Sequence, residues 1–134
     1  MAGPEASNTK VVQDAYAAFG RGDIPSIINA LADDIVWQGV KGVGKHVPMS
    51  GERRGKPAVG EFFKQVGANL TFSKFEPREF VAEGDQVVAI GQYAAATSAK
   101  KSFASDFVMV FTLRGGKIVM FREFLDSAAL NAAF

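Results

Sequence analysis

The second half of the chain, from about residue 71, is dominated by runs of β-branched and aromatic residues. These runs predict strands over 71–82 and 86–97, joined by a short polar turn, and then a long hairpin over 103–125. Gly115-Gly116 divides that hairpin, because both central residues of a tight two-residue turn need positive φ. We therefore expect this half of the chain to form an antiparallel sheet.

The first half shows helical spacing of its apolar residues instead. A helix is predicted from about Asn8 to Gly20, followed by a short second helix that Asp23 caps at its N-terminus. A strand over 35–38 and a glycine-rich loop over 39–55 come next. Pro57 then opens a third helix.

Three helices followed by a run of strands predict an α+β fold, with the helices laid on one face of a curved antiparallel sheet. The expected domain organisation is a disordered leader over 1–7 and a single domain over 8–134. Both faces of the last hairpin are apolar. Since one face must pack against the helices, the outer face is predicted to form a homodimer interface.

The hairpin also carries two acidic residues within its apolar runs. Counting outward from the turn, Val108 lies opposite Glu123, and Asp106 lies opposite Leu125. Asp106 and Glu123 would then be diagonal neighbours on one face, with β-carbons roughly 7–8 Å apart. The register predicts a polar site within an apolar pocket, on the face that holds Asp106, Val108, Val110, Phe121, Glu123 and Leu125.

The composition of the chain excludes or disfavours several classes of function. Twelve phenylalanines predict a core around an apolar cavity, and a net charge of +1 disfavours nucleic acid or a membrane surface as the partner. The sequence has no cysteine, and His46 is its only histidine, so a multi-histidine metal centre within one chain is excluded. We expect no cofactor. The leader lacks the features of a signal peptide and no run is long enough to span a membrane, so a cytoplasmic protein is predicted.

The order of elements resembles the nuclear-transport-factor-2-like superfamily, and within it the SnoaL-like and ketosteroid-isomerase-like proteins. The resemblance covers nearly the whole chain, and the segments that carry it are 17–23, 31–37, 51–55, 116–119 and 122–126. It implies a cystatin-like cone in which three N-terminal helices and the curved sheet enclose a pocket. Enzymes, binding proteins and inactive relatives share this fold, so the resemblance does not fix an activity.

Ketosteroid isomerases use an aspartate base, a tyrosine and a protonated aspartic acid. In this chain Asp106 matches the position of the protonated acid. The base position is occupied by Gly39 and the tyrosine position by Ala15, with Tyr16 one step away and pointing elsewhere on the helix. Because two of the three groups are missing, steroid isomerisation of that type is not predicted.

Polyketide cyclases of the SnoaL type carry an acid/base aspartate in the final strand, where this chain has Glu123. Their histidine is absent here. The resemblance extends to limonene-epoxide hydrolases, whose Asp-Arg-Asp arrangement has no full counterpart in this sequence.

The predicted function is acid/base catalysis, of isomerase, cyclase or hydrolase type, on a small apolar carbonyl-containing or polyketide-like molecule. Glu123 would move the proton, Asp106 would stabilise the oxyanion, and His46 would lie over the pocket mouth. Predicted ligand-binding residues are Trp37, Tyr16, Phe62, Val108, Phe121 and Leu125. One alternative is a non-catalytic binding protein for a hydrophobic small molecule. Another is a dimeric module with a vestigial pocket.

Overall fold

A computed structural model describes residues 3–134. In chain order its elements are α1 Pro4–Gly20, α2 Ile24–Asn29, β1 Leu31–Gln38, β2 Glu52–Arg54, α3 Lys56–Asn69, β3 Leu70–Glu83, β4 Gln86–Thr97, β5 Ser102–Arg114, β6 Lys117–Leu125 and α4 Ser127–Ala133. Helix α1 begins at Pro4 and not at about Asn8, so residues 4–7 are helical and not part of a leader. Residues 1–2 of the predicted leader lie outside the described residues.

The six strands form one curved, unclosed sheet in the order β2-β1-β6-β5-β4-β3. N-terminal helices pack on its inner face, which confirms the predicted α+β cone. The sheet is not wholly antiparallel as predicted, because β1 runs parallel to β6. No helix within residues 3–134 is long and apolar enough to cross a membrane.

Two short helices begin at aspartate capping residues, of which the sequence predicts Asp23. The Asp23 carboxylate accepts a hydrogen bond from the backbone N–H of Ser26 at 3.2 Å, at the start of α2. The Asp126 carboxylate accepts one from the N–H of Ala129 at 3.0 Å, at the start of α4. Each cap satisfies a backbone donor that has no partner within the helix. Helix α4 can therefore turn back under the sheet directly after β6.

The last hairpin contains a β-bulge at Val119, and this bulge overturns the predicted register. Pairing is regular next to the turn, where Leu113 lies opposite Ile118. Thr112 then lies opposite Met120, which leaves Val119 as an extra residue in β6. Beyond this point every pair is shifted by one, and a shift of one residue moves a side chain to the other face of the sheet.

The shift changes which residue of β5 lies opposite Glu123. It lies opposite Met109, and Val108 lies opposite Phe124. Glu123 therefore shares the inner face with the buried core residues Phe107, Met109, Phe111 and Phe121. The predicted face that combined Asp106 and Val108 with Glu123 does not exist, because those two residues point to the outer side of the sheet.

Gly91 lies in β4 between Pro77 and Phe107, at a position that leaves no room for a side chain. A β-carbon there would lie 2.6 Å from Cζ of Phe107 and 2.9 Å from Cα of Pro77. We expect Gly91→Ala to lower the free energy of unfolding by about 1–3 kcal/mol, the usual cost of overpacking. Urea denaturation measures the change.

A matched control for that variant is Gly60→Ala in α3, where an added β-carbon has no atom within 4 Å. This variant should be stabilised by about 0.5–1 kcal/mol, because alanine loses less entropy in a helix than glycine does. Equal stability of the two variants would contradict the close approach at Gly91.

Candidate functional site

An apolar cavity lies between the inner face of the sheet and helices α1 and α3. The volume of this cavity is about 90 Å³. Met49 from the loop after β1 and Leu130 from α4 close parts of the wall. Its aromatic lining residues are Tyr16, Phe19, Trp37, Phe62, Phe63, Phe72, Phe75, Tyr93, Phe111 and Phe121. Many of the phenylalanines of the chain thus surround this one cavity.

Glu123 contributes the one carboxyl group among the described residues that line this cavity. Removal from water raises its pKa to about 7, and a hydrogen bond from the backbone N–H of Val40 partly offsets that rise. It forms no ion pair within residues 3–134, where Arg54 pairs with Glu52 instead. The carboxyl group is therefore free to exchange a proton with a molecule in the cavity near neutral pH.

Two tyrosines face this carboxyl group. Burial raises the pKa of both Tyr16 and Tyr93 far above the usual value, and the negative charge of Glu123 raises it further. Both hydroxyls therefore stay protonated. The Tyr16 hydroxyl donates to the sulfur of Met109 at 2.9 Å. The hydroxyl of Tyr93 has no hydrogen-bond partner within the described part of the chain, so it remains a free donor.

Trp37 supplies a second free donor. Its ring stacks on Phe121 with centroids 3.8 Å apart and planes 18° from parallel. The indole is only 4% exposed, and its Nε1–H has no partner within residues 3–134. A buried donor without a partner costs free energy. A ligand oxygen in the cavity could satisfy it.

Asp106 lies outside this site. It is exposed on the outer face of β5, where its carboxylate accepts a hydrogen bond from the side-chain amide of Gln92 at 3.0 Å. The predicted pairing with Glu123 is wrong, because the bulge at Val119 puts the two acids on opposite faces. An oxyanion role for Asp106 in this cavity is therefore excluded by its position.

His46 is also remote from the cavity. It is exposed in the loop after β1, with Nε2 3.4 Å from the backbone oxygen of Asn131. The same loop is tied to α4 by the N–H of Gly44, which donates to the side chain of Asn131 at 2.8 Å. His46 thus lies where the loop meets α4, and not over Glu123.

Four of the six predicted ligand-binding residues line the cavity: Tyr16, Trp37, Phe62 and Phe121. Val108 is on the outer face, and Leu125 packs against the core without lining the cavity. Ala15, the residue before Tyr16, lines the wall as well.

Tyr93 is a polar lining residue that the sequence did not predict. In β4 the odd-numbered residues Val87, Ala89, Tyr93 and Ala95 are all buried, which places Tyr93 on the inner face. The sequence alone does not show this alternation, because the even-numbered Val88 and Ile90 are apolar as well.

Gly39 shows why the base of the ketosteroid isomerases has no equivalent here. A β-carbon at this position would lie 2.7 Å from the backbone oxygen of Met49 and 3.0 Å from that of Gly51. The returning loop therefore occupies the space that a carboxylate side chain would need. Residues 3–134 also contain no group of three or more His, Cys, Asp or Glu side chains that could hold a metal ion.

Comparisons with solved structures give the same architecture. An NTF2-like protein from Burkholderia xenovorans LB400 is 31% identical, with a TM-score of 0.86 over 96% of both chains. An NTF2-like protein of unknown function from Burkholderia pseudomallei K96243 is 26% identical, with a TM-score of 0.85 over 95% of this chain and 96% of that one. TerC, co-crystallised with polyporic acid, is 26% identical, with a TM-score of 0.78 over 95% of this chain and 97% of TerC.

Sequence comparison assigns the family. Among curated proteins, none matches this chain. The SnoaL-like domain matches residues 12–121, which include both Trp37 and Phe121 of the cavity wall. This match spans most of the chain, and the chain therefore belongs to the SnoaL-like domain family.

Proposed function

We propose that this protein is an acid/base catalyst of isomerase or cyclase type, acting on a small apolar molecule that carries a carbonyl group. The observation that carries the proposal is Glu123, a carboxyl group in an aromatic cavity with a pKa of about 7 and no cation beside it. A catalytic group is most effective when its pKa lies near the working pH, because both protonation states are then populated.

In this proposal Glu123 as carboxylate removes a proton from the carbon next to the carbonyl. The electron pair moves onto the carbonyl oxygen and forms an enolate. Protonated Glu123 then returns its proton to a different carbon, or to the oxygen formed when the enolate closes a ring. The proton and the electron pair both remain within the substrate and Glu123, so no further reactant is needed.

In this proposal, free hydrogen-bond donors of the cavity stabilise the enolate oxygen. Trp37 offers its buried Nε1–H, which has no partner in the described residues. Tyr93 offers its hydroxyl, and both residues line the same cavity as Glu123. Donors that are fixed in a site without water stabilise developing negative charge more strongly than water does. Trp37 and Tyr93 therefore take the oxyanion-stabilising role that was predicted for Asp106.

A second candidate is a non-catalytic binding protein for a hydrophobic small molecule. The observation in its favour is the absence of a second acid or base beside Glu123 in the lining of the described cavity. The relative TerC was co-crystallised with polyporic acid, which offers a first probe for either function. In this candidate the protonated Glu123 and Trp37 would only orient the ligand.

The test begins with ligand binding, reported by Trp37, because it is the only tryptophan of the chain and stands in the cavity wall. Carbonyl-containing aromatic compounds, polyporic acid included, are titrated against the protein while indole fluorescence is followed. Each binder is then incubated with the protein, and its conversion is followed by mass spectrometry and by exchange of carbon-bound hydrogen with deuterated water.

Glu123→Gln should lower turnover by about 10²–10⁴-fold, the usual contribution of a general acid/base. Asp106→Asn is the matched control and should keep turnover, because that acid lies on the opposite face of the sheet. Turnover that survives in Glu123→Gln would refute the catalytic role. Binding without exchange or conversion of any binder would favour the binding protein.

A further inference from the structure

One side of the cavity is closed by four phenylalanines that are only half-buried. They are Phe19 from α1, Phe63 from α3, and Phe72 and Phe75 from β3, and we call them the mouth cluster. Five of the other six aromatic residues in the lining are at most 5% exposed: Trp37, Phe62, Tyr93, Phe111 and Phe121. The mouth cluster therefore lies between the cavity and the solvent.

The rings of the mouth cluster pack on one another across three elements of the fold. The ring centroid of Phe19 is 4.9 Å from that of Phe75, 5.7 Å from that of Phe72 and 6.1 Å from that of Phe63. The rings of Phe72 and Phe75 are 5.4 Å apart. These contacts are apolar and not directional, so a ring can move outward without breaking a hydrogen bond.

A β-bulge at Ser73 brings two members of the cluster to the same face of the sheet. Phe72 lies opposite Ala95 and Phe75 lies opposite Tyr93, which leaves Ser73 as an extra residue in β3. Residues that are three positions apart in a regular strand point to opposite faces. The bulge cancels that difference, so both phenylalanines point to the inner face, next to the cavity.

Phe72 is held less tightly than Phe75. The ring of Phe75 also stacks on the buried ring of Phe107, with centroids 5.3 Å apart. Phe72 makes no ring contact with a buried phenylalanine in the described part of the chain, and β3 is an edge strand of the sheet. On its inner side, the ring of Phe72 is 5.6 Å from that of Tyr93. Phe72 thus lies directly in front of a hydroxyl group that is free to donate.

The volume of the cavity limits what it can hold. It measures about 90 Å³, whereas an engineered apolar cavity that binds one benzene molecule measures about 150 Å³. A six-membered ring therefore enters only if one side chain of the wall moves outward. The space that one displaced phenyl ring leaves is about that of one ring. Two fused rings need more room than this single movement supplies.

We propose that the mouth cluster is the entrance of the cavity and that Phe72 limits the substrate to carbonyl compounds with a single ring. This inference rests on the proposed function, because it assigns a size class to the substrate of the same site. Phe72 moves outward to admit one ring, whose carbonyl oxygen then accepts a hydrogen bond from Tyr93 just inside the entrance. Compounds with a second fused ring are rejected.

The test compares the binding of two ketones, cyclohexanone and decalone, which differ by one fused ring. Equilibrium dialysis followed by gas chromatography measures both dissociation constants without relying on turnover. Decalone has more apolar surface and would bind more tightly in a cavity without a size limit. In the wild-type protein its dissociation constant should instead be at least ~10-fold above that of cyclohexanone, because the second ring overpacks the cavity.

Phe72→Ala removes the ring and should lower the dissociation constant of decalone at least ~10-fold, while that of cyclohexanone changes by less than about 3-fold. Phe72→Leu should act in the same direction with a smaller effect, and it serves if the alanine variant does not fold. Phe80→Ala is the matched control. Phe80 is a half-buried residue of the same strand, with its ring 5.9 Å from that of Tyr16, and it lies outside the cavity lining. This variant should keep both dissociation constants within a few fold.

Circular dichroism confirms that each variant is folded. Equal or tighter binding of decalone by the wild type, or no binding of either ketone, would overturn the entrance and its size limit. An equal gain in Phe80→Ala would overturn the role of Phe72. Deuterium exchange next to the carbonyl of cyclohexanone, measured in the same samples, tests the proposed catalysis separately. A size limit without exchange would refute catalysis and support the entrance, whereas exchange without a size limit would do the reverse.

Discussion

Inserting one alanine between Met120 and Phe121 should leave a chain that no longer reaches its native fold. The bulge at Val119 already holds one extra residue, so the inserted residue shifts the rest of β6 by one position against β5, and the following side chains exchange faces. Arg122 would then point into the apolar cavity, while Phe121 would leave its stack on Trp37. An uncompensated buried charge alone costs about 3–5 kcal/mol. Loss of a buried phenylalanine adds a similar amount, which together approaches the whole stability of a typical domain.

Thermal melts followed by circular dichroism measure this outcome, with Val119→Ala as the matched control. The substitution keeps the residue count and therefore the bulge, so we expect a loss of only about 1 kcal/mol from this half-buried side chain. If the insertion protein melted cooperatively within a few degrees of the wild type, the register of β6 beyond the bulge would not determine which side chains face the cavity.

The bulge also shows where prediction from the sequence reached its limit. The three predicted helices, the turn at Gly115-Gly116 and the cap at Asp23 follow from local chemistry, and the structure confirms them, although α1 begins earlier than predicted. The bulge lies within Ile118-Val-Met-Phe121, a run of four apolar residues. Because no polar residue alternates there, a slip of one position leaves no trace in the pattern.

The bulge made only part of the predicted site wrong. Alternation within β6 correctly grouped Phe121 with Glu123, since both follow the bulge. Alternation within β5 correctly grouped Asp106 with Val108. Only the link between the two strands was wrong, and this single error turned an exposed acid into a predicted catalytic partner. Predictions that group residues of the same strand are thus more reliable than predictions that pair residues of two strands, because the second kind depends on the register.

Other features of the cavity depend on contacts between residues that are far apart in the sequence, which local sequence patterns do not predict. The orphan Nε1–H of Trp37 results from packing against Phe62, Phe63 and Phe121, which come from distant parts of the chain. The raised pKa of Glu123 likewise depends on the absence of a cation, whereas the nearby loop sequence offers several. Arg53, for example, donates to the backbone oxygen of Pro48 at 2.9 Å and not to Glu123.

Stability should fall as the pH rises through neutrality, because of Glu123. Its pKa is about 7 in the folded protein against a usual value of 4.5, so the folded state holds this proton more tightly than the unfolded state. Between these two values the folded chain binds more protons, and the free energy of unfolding declines with increasing pH. The stabilising contribution is complete below about pH 4.5 and lost above about pH 7, and it amounts to roughly 3 kcal/mol.

Carboxylates elsewhere in the protein affect its stability in a different pH range. Hydrogen bonds from Ser26, Arg114 and Lys74 lower the pKa of exposed carboxylates at three sites: Asp23, Asp34 and Glu76. Their contribution to stability is present above their ordinary pKa and is lost only as the pH falls below it. The window between about pH 4.5 and 7 therefore reports mainly on Glu123.

Glu123→Gln should abolish this decline, because glutamine resembles the protonated acid and does not titrate. Urea unfolding across a pH series should give similar free energies for the variant and the wild type near pH 4.5. At pH 8 the variant should be more stable by up to roughly 3 kcal/mol. Glu61→Gln, at an exposed position of α3, should follow the wild type throughout. Parallel curves for Glu123→Gln and the wild type would mean that Glu123 titrates as if in water, and the cavity could not then poise it for proton transfer near neutral pH.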